Sequence, residues 1–222
     1  MGQRGAKPKG KVKLEWSANF AYAIGLLASD GNLSSDGRHI DLTSKDVVQV
    51  KNFIHCLGLE NKIGKKLNGT GKVSYRVQFG DIVFYRFLLK VGLTPTKSKT
   101  IGKLKIPQKY FYDFLRGSFD GDGSFYSYFD PRWKSSFVFY FAIASASPAH
   151  LEWIRDVLSE SLGVKGHITR DSKKSTLQLK YAKAESWKIL KNMYYSREVV
   201  CLMRKRLKVE KALLFEGKRL PG

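Results

Sequence analysis

The chain has 222 residues, enough for one large or two small domains with a real core. Its apolar fraction of 43% is that of a globular protein, and no apolar run approaches the roughly 20 residues that a membrane span requires. Forty Lys and Arg against 19 Asp and Glu leave a net charge of +21, so the expected partner is a polyanion, nucleic acid first. Two cysteines, Cys56 and Cys201, lie among apolar residues with no metal-ligand spacing, which gives neither a zinc site nor a disulfide framework and points to an intracellular compartment.

A basic arm, 1–13, opens the chain. Its charge without an apolar stretch excludes a secretory signal. The segment Ser17–Leu27 predicts a helix rich in small residues, ending in Ser29-Asp30-Gly31. A hairpin over Asn32–Thr43 follows, turning at Ser35-Asp36-Gly37. Ser44 is placed to cap a helix over Lys45–Leu57, which Gly58 ends. Strands near Lys62–Leu67 and Val73–Phe79 join through Asn68-Gly69, and Asp81 caps a helix to Val91. The lysine-rich stretch 94–106 reads as a linker that touches phosphates or stays solvated.

The same order then recurs. Pro107 opens a helix to Phe119, ending in Asp120-Gly121-Asp122-Gly123. A hairpin over Ser124–Phe129 and Ser136–Ala144 turns at Asp130-Pro131. Ser147-Pro148 starts a helix that stops at Leu162-Gly163. Strands near His167–Arg170 and Thr176–Tyr181 precede a helix over Lys183–Tyr194, and an amphipathic helix over Arg197–Phe215 closes the chain. The reading is α+β: two pseudo-symmetric αββαββα repeats, 14–93 and 107–222, each with an antiparallel saddle.

Two segments anchor the repeat. One is Gly25-Leu26-Leu27-Ala28-Ser29-Asp30-Gly31; the other is Gly117-Ser118-Phe119-Asp120-Gly121-Asp122-Gly123. Gly25 and Ser29, like Gly117 and Gly121, stand four apart on one helix face. Small residues on a shared face let two backbones approach closely, at a cost of about 1 kcal/mol for each helical glycine. If these helices pack together, Asp30 and Asp122 emerge side by side. Two adjacent carboxylates repel, and a bound divalent cation removes the conflict. An oxygen site that keeps its waters suits Mg²⁺, with Mn²⁺ as a substitute, and the lack of nearby Cys and His argues against zinc. An EF-hand is excluded, because its final ligand position would be Pro131.

These segments resemble the LAGLIDADG motif, and the repeat carries the resemblance over nearly the whole chain. It implies a monomeric homing endonuclease of the two-motif type, with the motif helices at the interface of the halves. It implies that Asp30 and Asp122 bind the catalytic metal, assisted by the carbonyls of Ser29 and Gly121. The motif's first acidic position is Ala28 in one copy and Asp120 in the other, a departure of little consequence under a one-acid-per-helix scheme. The family places a Lys or Gln where Lys45 stands, near the scissile phosphate. The second-half equivalent reads as Ser147, with Lys180 or Lys183 as substitutes, which predicts unequal cutting of the two strands.

Strand alternation puts Arg76 and Gln78 on one face, and Gln178 and Lys180 on another, opposite to their apolar neighbours. Such residues read purines in the major groove, which a β-ribbon fits. Thr43, Lys66, Tyr126 and Arg170 join them as candidate DNA contacts, with His39, Asp41 and Tyr128. The expected partner is double-stranded DNA, with intron RNA as a further one. The expected gene context is a free-standing, intron-encoded enzyme. An RNA maturase and a non-cutting DNA-binding regulator on the same fold stand as alternatives.

Overall fold

The computed structural model describes residues 10–67, 71–133, 135–170 and 176–221. The Asn68-Gly69 turn and residues 1–9 of the basic arm lie outside the described residues.

Helix α1, Ala18–Ser29, begins where the Ser17 hydroxyl accepts the Phe20 amide. Strands β1 (Gly31–Leu33) and β2 (His39–Ser44) form the first hairpin, followed by α2 (Val47–Leu57), β3 (Gly64–Leu67), β4 (Val73–Gly80) and α3 (Ile82–Val91). The second half repeats the order: α4 (Phe111–Asp122), β5 (Gly123–Phe129), β6 (Phe137–Ser145), α5 (Pro148–Leu162), β7 (His167–Arg170), β8 (Leu177–Tyr181) and α6 (Lys183–Met193). Helix α7, Met203–Leu214, comes last. Two antiparallel sheets result, ordered β1-β2-β4-β3 and β5-β6-β8-β7. The α+β class and the two repeat-like halves are as the sequence implies.

Alternation divides each sheet into a core face and an outer face. In the first, Ile40 pairs with Phe79 and Leu42 with Val77, all buried. In the second, Phe125 pairs with Phe141 and Ile143 with Leu179. Helices α1 and α4 run through the centre, buried on nearly every side, from Phe20 to Leu27 and from Asp113 to Asp120.

Their contact is backbone on backbone. A Cβ built on Gly25 would lie 2.1 Å from the Phe114 carbonyl oxygen, and one on Gly117 would lie 2.1 Å from that of Tyr22. One turn further on, a Cβ on Gly121 would meet the Ser29 side chain at 2.0 Å. The glycines anticipated from spacing are therefore what allows the helices to touch.

Five element ends depart from the sequence reading. Asp46, not Ser44, caps α2; its carboxylate accepts the Val48 amide, while the Ser44 hydroxyl accepts the Asp46 amide. Lys45 therefore precedes the helix rather than opening it. The Ser147 hydroxyl donates to the Ile101 carbonyl instead of capping α5. Helix α4 starts at Phe111, after a 3₁₀ turn over Gln108–Tyr110, rather than at Pro107, and it continues past Phe119 to Asp122. Helix α7 starts at Met203 instead of Arg197, because the carbonyls before it are engaged elsewhere. Arg116 donates to Val200, and Arg206 donates to Ser196 and Arg197.

Candidate functional site

Helices α1 and α4 end together, so Asp30 and Asp122 stand at one spot on the molecule. A Cβ on Gly121 would come within 3.0 Å of Asp30 Oδ2, which measures how close the second helix lies to the first carboxylate. Burial raises the Asp30 carboxyl, partly offset by the Gln49 amide, which donates to Oδ2 at 2.5 Å. Asp122 is pushed up to about 6, by burial first and by the charge of Asp30 second. These are two carboxylates in conflict.

A buried lysine, Lys97, and a half-buried one, Lys205, frame them. Lys97 Nζ donates to the Gly31 carbonyl at 2.5 Å, and Lys205 Nζ donates to those of Gly123 and Phe119 at 2.7 and 2.5 Å. Each lysine thus sits on the glycine that follows a motif aspartate. Burial lowers both, Lys205 to about 8, against the attraction of nearby aspartates. The helix C-terminal carbonyls favour a cation there.

Neither lysine was singled out in the sequence. Lys97 lies in the stretch read as a linker that touches phosphates or stays solvated, yet it is only 6% exposed. Lys205 lies in the terminal basic run, between exposed Arg204 and buried Arg206. Gln49 was missed as well; its one legible signal is that it falls on the buried stripe of α2 with Val50, Phe53 and Leu57. A polar residue on a buried stripe needs a partner, and Gln49 has two, Asp30 and the Ser44 hydroxyl.

Asp120 has more consequence than its motif position suggested. It is 1% exposed, and its Oδ2 accepts the Tyr22 hydroxyl at 2.7 Å and the Leu202 amide at 2.6 Å. It therefore ties α4 to α1 and to the start of α7. Its Oδ1 has no hydrogen-bond partner among the described residues, and burial pushes the carboxyl up to about 6.

The clefts on either side of the helix ends differ. On the Asp30 side a cleft of about 730 Å³ is lined by Lys45, Gln49 and Arg204. On the Asp122 side one of about 190 Å³ is lined by Lys97, Ala144 and Ala146. Counting from strand end and helix cap, Lys45 corresponds to Ala146, not to Ser147, which corresponds to Asp46. Lys183 is committed elsewhere, to Phe137 and Glu216. His150, the counterpart of Gln49, turns to the Gly102 carbonyl.

A divalent cation suits the donor set. Among the described residues no group of three or more His, Cys, Asp or Glu could hold a metal. Two carboxylates remain, with the Ser29 and Gly121 carbonyls at the same seam. That sparse set fits Mg²⁺, which is held by one or two carboxylates and otherwise by water and phosphate oxygens.

The outer faces of the sheets flank these clefts. On the first, register aligns Thr43 with Arg76, Asp41 with Gln78 and Lys66 with Ser74. Arg76 is held by Asp41 at 3.0 Å, and Asn32 donates to the same carboxylate. On the second, Gln178 and Lys180 share a face with Tyr126. Arg170 does not join them, for it pairs with the core-facing Leu177 at a strand end.

Comparison with solved structures decides the fold. Full-length DUF199/WhiA from Thermatoga maritima superimposes with a TM-score of 0.58 at 14% identity, over 95% of this chain. The I-LtrWI LAGLIDADG homing endonuclease bound to target DNA gives 0.58 at 12% identity, covering 90% of each chain. The chain has the LAGLIDADG fold. I-DmoI in complex with DNA and Mn shares it, at 0.52 and 18% identity, over 81% of this chain and 98% of that one. This chain spans 64% of the length of full-length WhiA. No protein-family model matches the sequence, and no curated protein does. No helix among the described residues is long and apolar enough to cross a membrane.

Proposed function

We propose that this protein is a divalent-metal-dependent endonuclease that cuts both strands of a long double-stranded DNA site. The observation that carries the reading is the pair Asp30 and Asp122, brought together by a glycine seam and framed by Lys97 and Lys205. A purely structural pair of helix ends has no need of two carboxylates in mutual conflict, nor of two lysines drawn in beside them. The basic charge and the two polar outer faces supply a surface for duplex phosphates and base edges.

Asp30 and Asp122 would hold Mg²⁺ or Mn²⁺ with help from the Ser29 and Gly121 carbonyls. The metal would supply an activated water and a counter-charge for the phosphate. The chain's own groups have separate tasks. Gln49 fixes the Asp30 carboxylate in one orientation. Lys97 and Lys205 present positive charge where a scissile phosphate would gain negative charge. Lys45 is exposed on the larger cleft and can orient solvent there. Arg76, Gln78, Thr43 and Lys66 on one saddle, and Gln178, Lys180 and Tyr126 on the other, would contact the bases, with Arg170 at a strand end reaching a phosphate. Because Ala146 replaces Lys45 in the second cleft, the strand cut beside Asp30 is expected to be cleaved first. The reading includes a monomeric, intron-encoded enzyme acting inside the cell.

Cleavage of a randomised duplex library tests this, with Mg²⁺ and then Ca²⁺, alongside Asp30→Asn and Asp122→Asn. Discrete double-strand cuts in Mg²⁺, lost in both variants, are expected. One observation favours a second reading, a regulator or RNA maturase that binds without cutting: WhiA, whose name carries no nuclease, superimposes as well as the endonucleases do. Site-specific binding with no cut in either metal would select it.

A further inference from the structure

The two hairpins beside the catalytic centre differ in length. Strand β1 has three residues and β5 has seven, so the second hairpin runs four residues further out. Hydrogen bonds mark where each arm closes: the Ser34 amide to the His39 carbonyl in the first, the Asp130 amide to the Ser136 carbonyl in the second. At about 3.3 Å per residue the extra length is about 13 Å. That is about four base pairs at roughly 3.4 Å each.

The outer face of the added length is aromatic. Tyr126 pairs with Tyr140 across the strands, and Tyr128 lies two residues beyond on the same face. Their rings stack, Tyr126 on Tyr140 at 5.1 Å and Tyr128 at 6.5 and 6.3 Å from the two. Tyr128 is 44% exposed. The other side of the arm is pinned, since Phe129 and Phe137 pack on Phe215 just past α7. Three large side chains are thus held in place before any partner arrives, which spares the entropy of ordering them. The first sheet carries the ion pair of Asp41 and Arg76 where the second, by register, has Ala142 and Gln178. Beyond the phenol hydroxyls at its rim, which substitution by Phe removes, a face of rings and small residues offers ring surface rather than hydrogen-bonding groups to a base edge. Among base edges in the major groove, the one such a face fits is the thymine methyl.

Resting on the endonuclease reading above, we propose that this stacked-tyrosine arm reads the outer three or four base pairs of one half-site by apolar contact with thymine methyls. The target is therefore asymmetric: one half longer and thymine-selective at its outer end, the other shorter and read by hydrogen bonds.

The test is selection from a random 40-base-pair duplex library in Ca²⁺, so that binding is read without cutting. One half of the selected site should extend further, with thymine dominant at its outer positions. Replacing each of those thymines by deoxyuridine removes only the methyl and should weaken binding roughly threefold to fivefold per position. The combined Tyr126→Ser, Tyr128→Ser and Tyr140→Ser protein should lose the outer preference and still select the inner positions, which report its fold. The corresponding Phe protein, which keeps the rings, should keep the preference for thymine. Equal half-sites, no loss with deoxyuridine, or an unchanged outer selection by the Ser protein would overturn the inference and leave the endonuclease reading standing. Failure to select any duplex would overturn both.

Discussion

Replacing Gly117 by alanine tests the glycine seam directly. The new methyl would sit 2.1 Å from the Tyr22 carbonyl oxygen and 3.1 Å from Gly25 Cα, both backbone atoms that no rotamer change can move aside. The helices would have to part by about 1 Å to restore ordinary contact. Alanine gains about 1 kcal/mol over glycine in helix propensity. Overpacking that shifts backbone costs typically 1–3 kcal/mol, and a 2.1 Å contact on backbone stands at the upper end of that range, so a net loss of about 2 kcal/mol follows. In a chain of this size that lowers the melting temperature by roughly 4–8 °C. Gly102→Ala is the control, because a Cβ there meets nothing within 4 Å. Differential scanning calorimetry on both proteins decides the matter. A Gly117→Ala protein that melts at or above the parent would refute the close backbone packing, and with it the placement of Asp30 beside Asp122.

Lys97→Met and Lys205→Met should each slow cleavage about 10²- to 10³-fold, as expected for a donor facing developing charge, with duplex binding in Ca²⁺ retained; parallel loss of binding would mark them as structural. Asp120→Asn should flatten the pH dependence of stability between about 4 and 6. A carboxyl raised to about 6 in the fold keeps its proton there while the unfolded chain releases it near 3.9, so stability falls as pH rises through that window and levels off above it. Urea denaturation at pH 4.5 and 7.5 reads the difference, and equal slopes in parent and variant would contradict it. Metal affinity should fall as pH drops through about 6, because Asp122 must be ionised to bind; a calorimetric titration of Ca²⁺ at pH 5.5 and 7.5 measures it. Arg116→Met should cost about 3–5 kcal/mol, since it strands the buried Asp113 and frees the carbonyls of Met193 and Val200.

The architecture was legible because period and punctuation agreed at each level. Glycines four apart marked the seam, and the Asp-Gly endings marked where the carboxylates emerge. The alternation in Val73–Phe79 fixed which side chains leave the core. What escaped was long-range. Lys97 reads as one lysine in a basic stretch, and only folding sets it on the Gly31 carbonyl. Asp120 reads as a spare acid, yet it meets Tyr22 and Leu202, 98 and 82 positions away. Helix α7 was begun too early, because helical spacing from Arg197 says nothing of carbonyls already claimed by arginines.

Lys205 reaches the Phe119 and Gly123 carbonyls from a segment that Asp120 and Arg116 hold in place through Leu202 and Val200. Helix α7 follows both saddles in chain order, so Lys205 can be set on α4 only after the strands of both sheets have been made. Under the proposed endonuclease reading, a chain stopped before α7 would lack one of the two flanking charges. Order of synthesis would then act as a safety catch: attachment would mature before cutting, and a truncated product would occupy sites without breaking them.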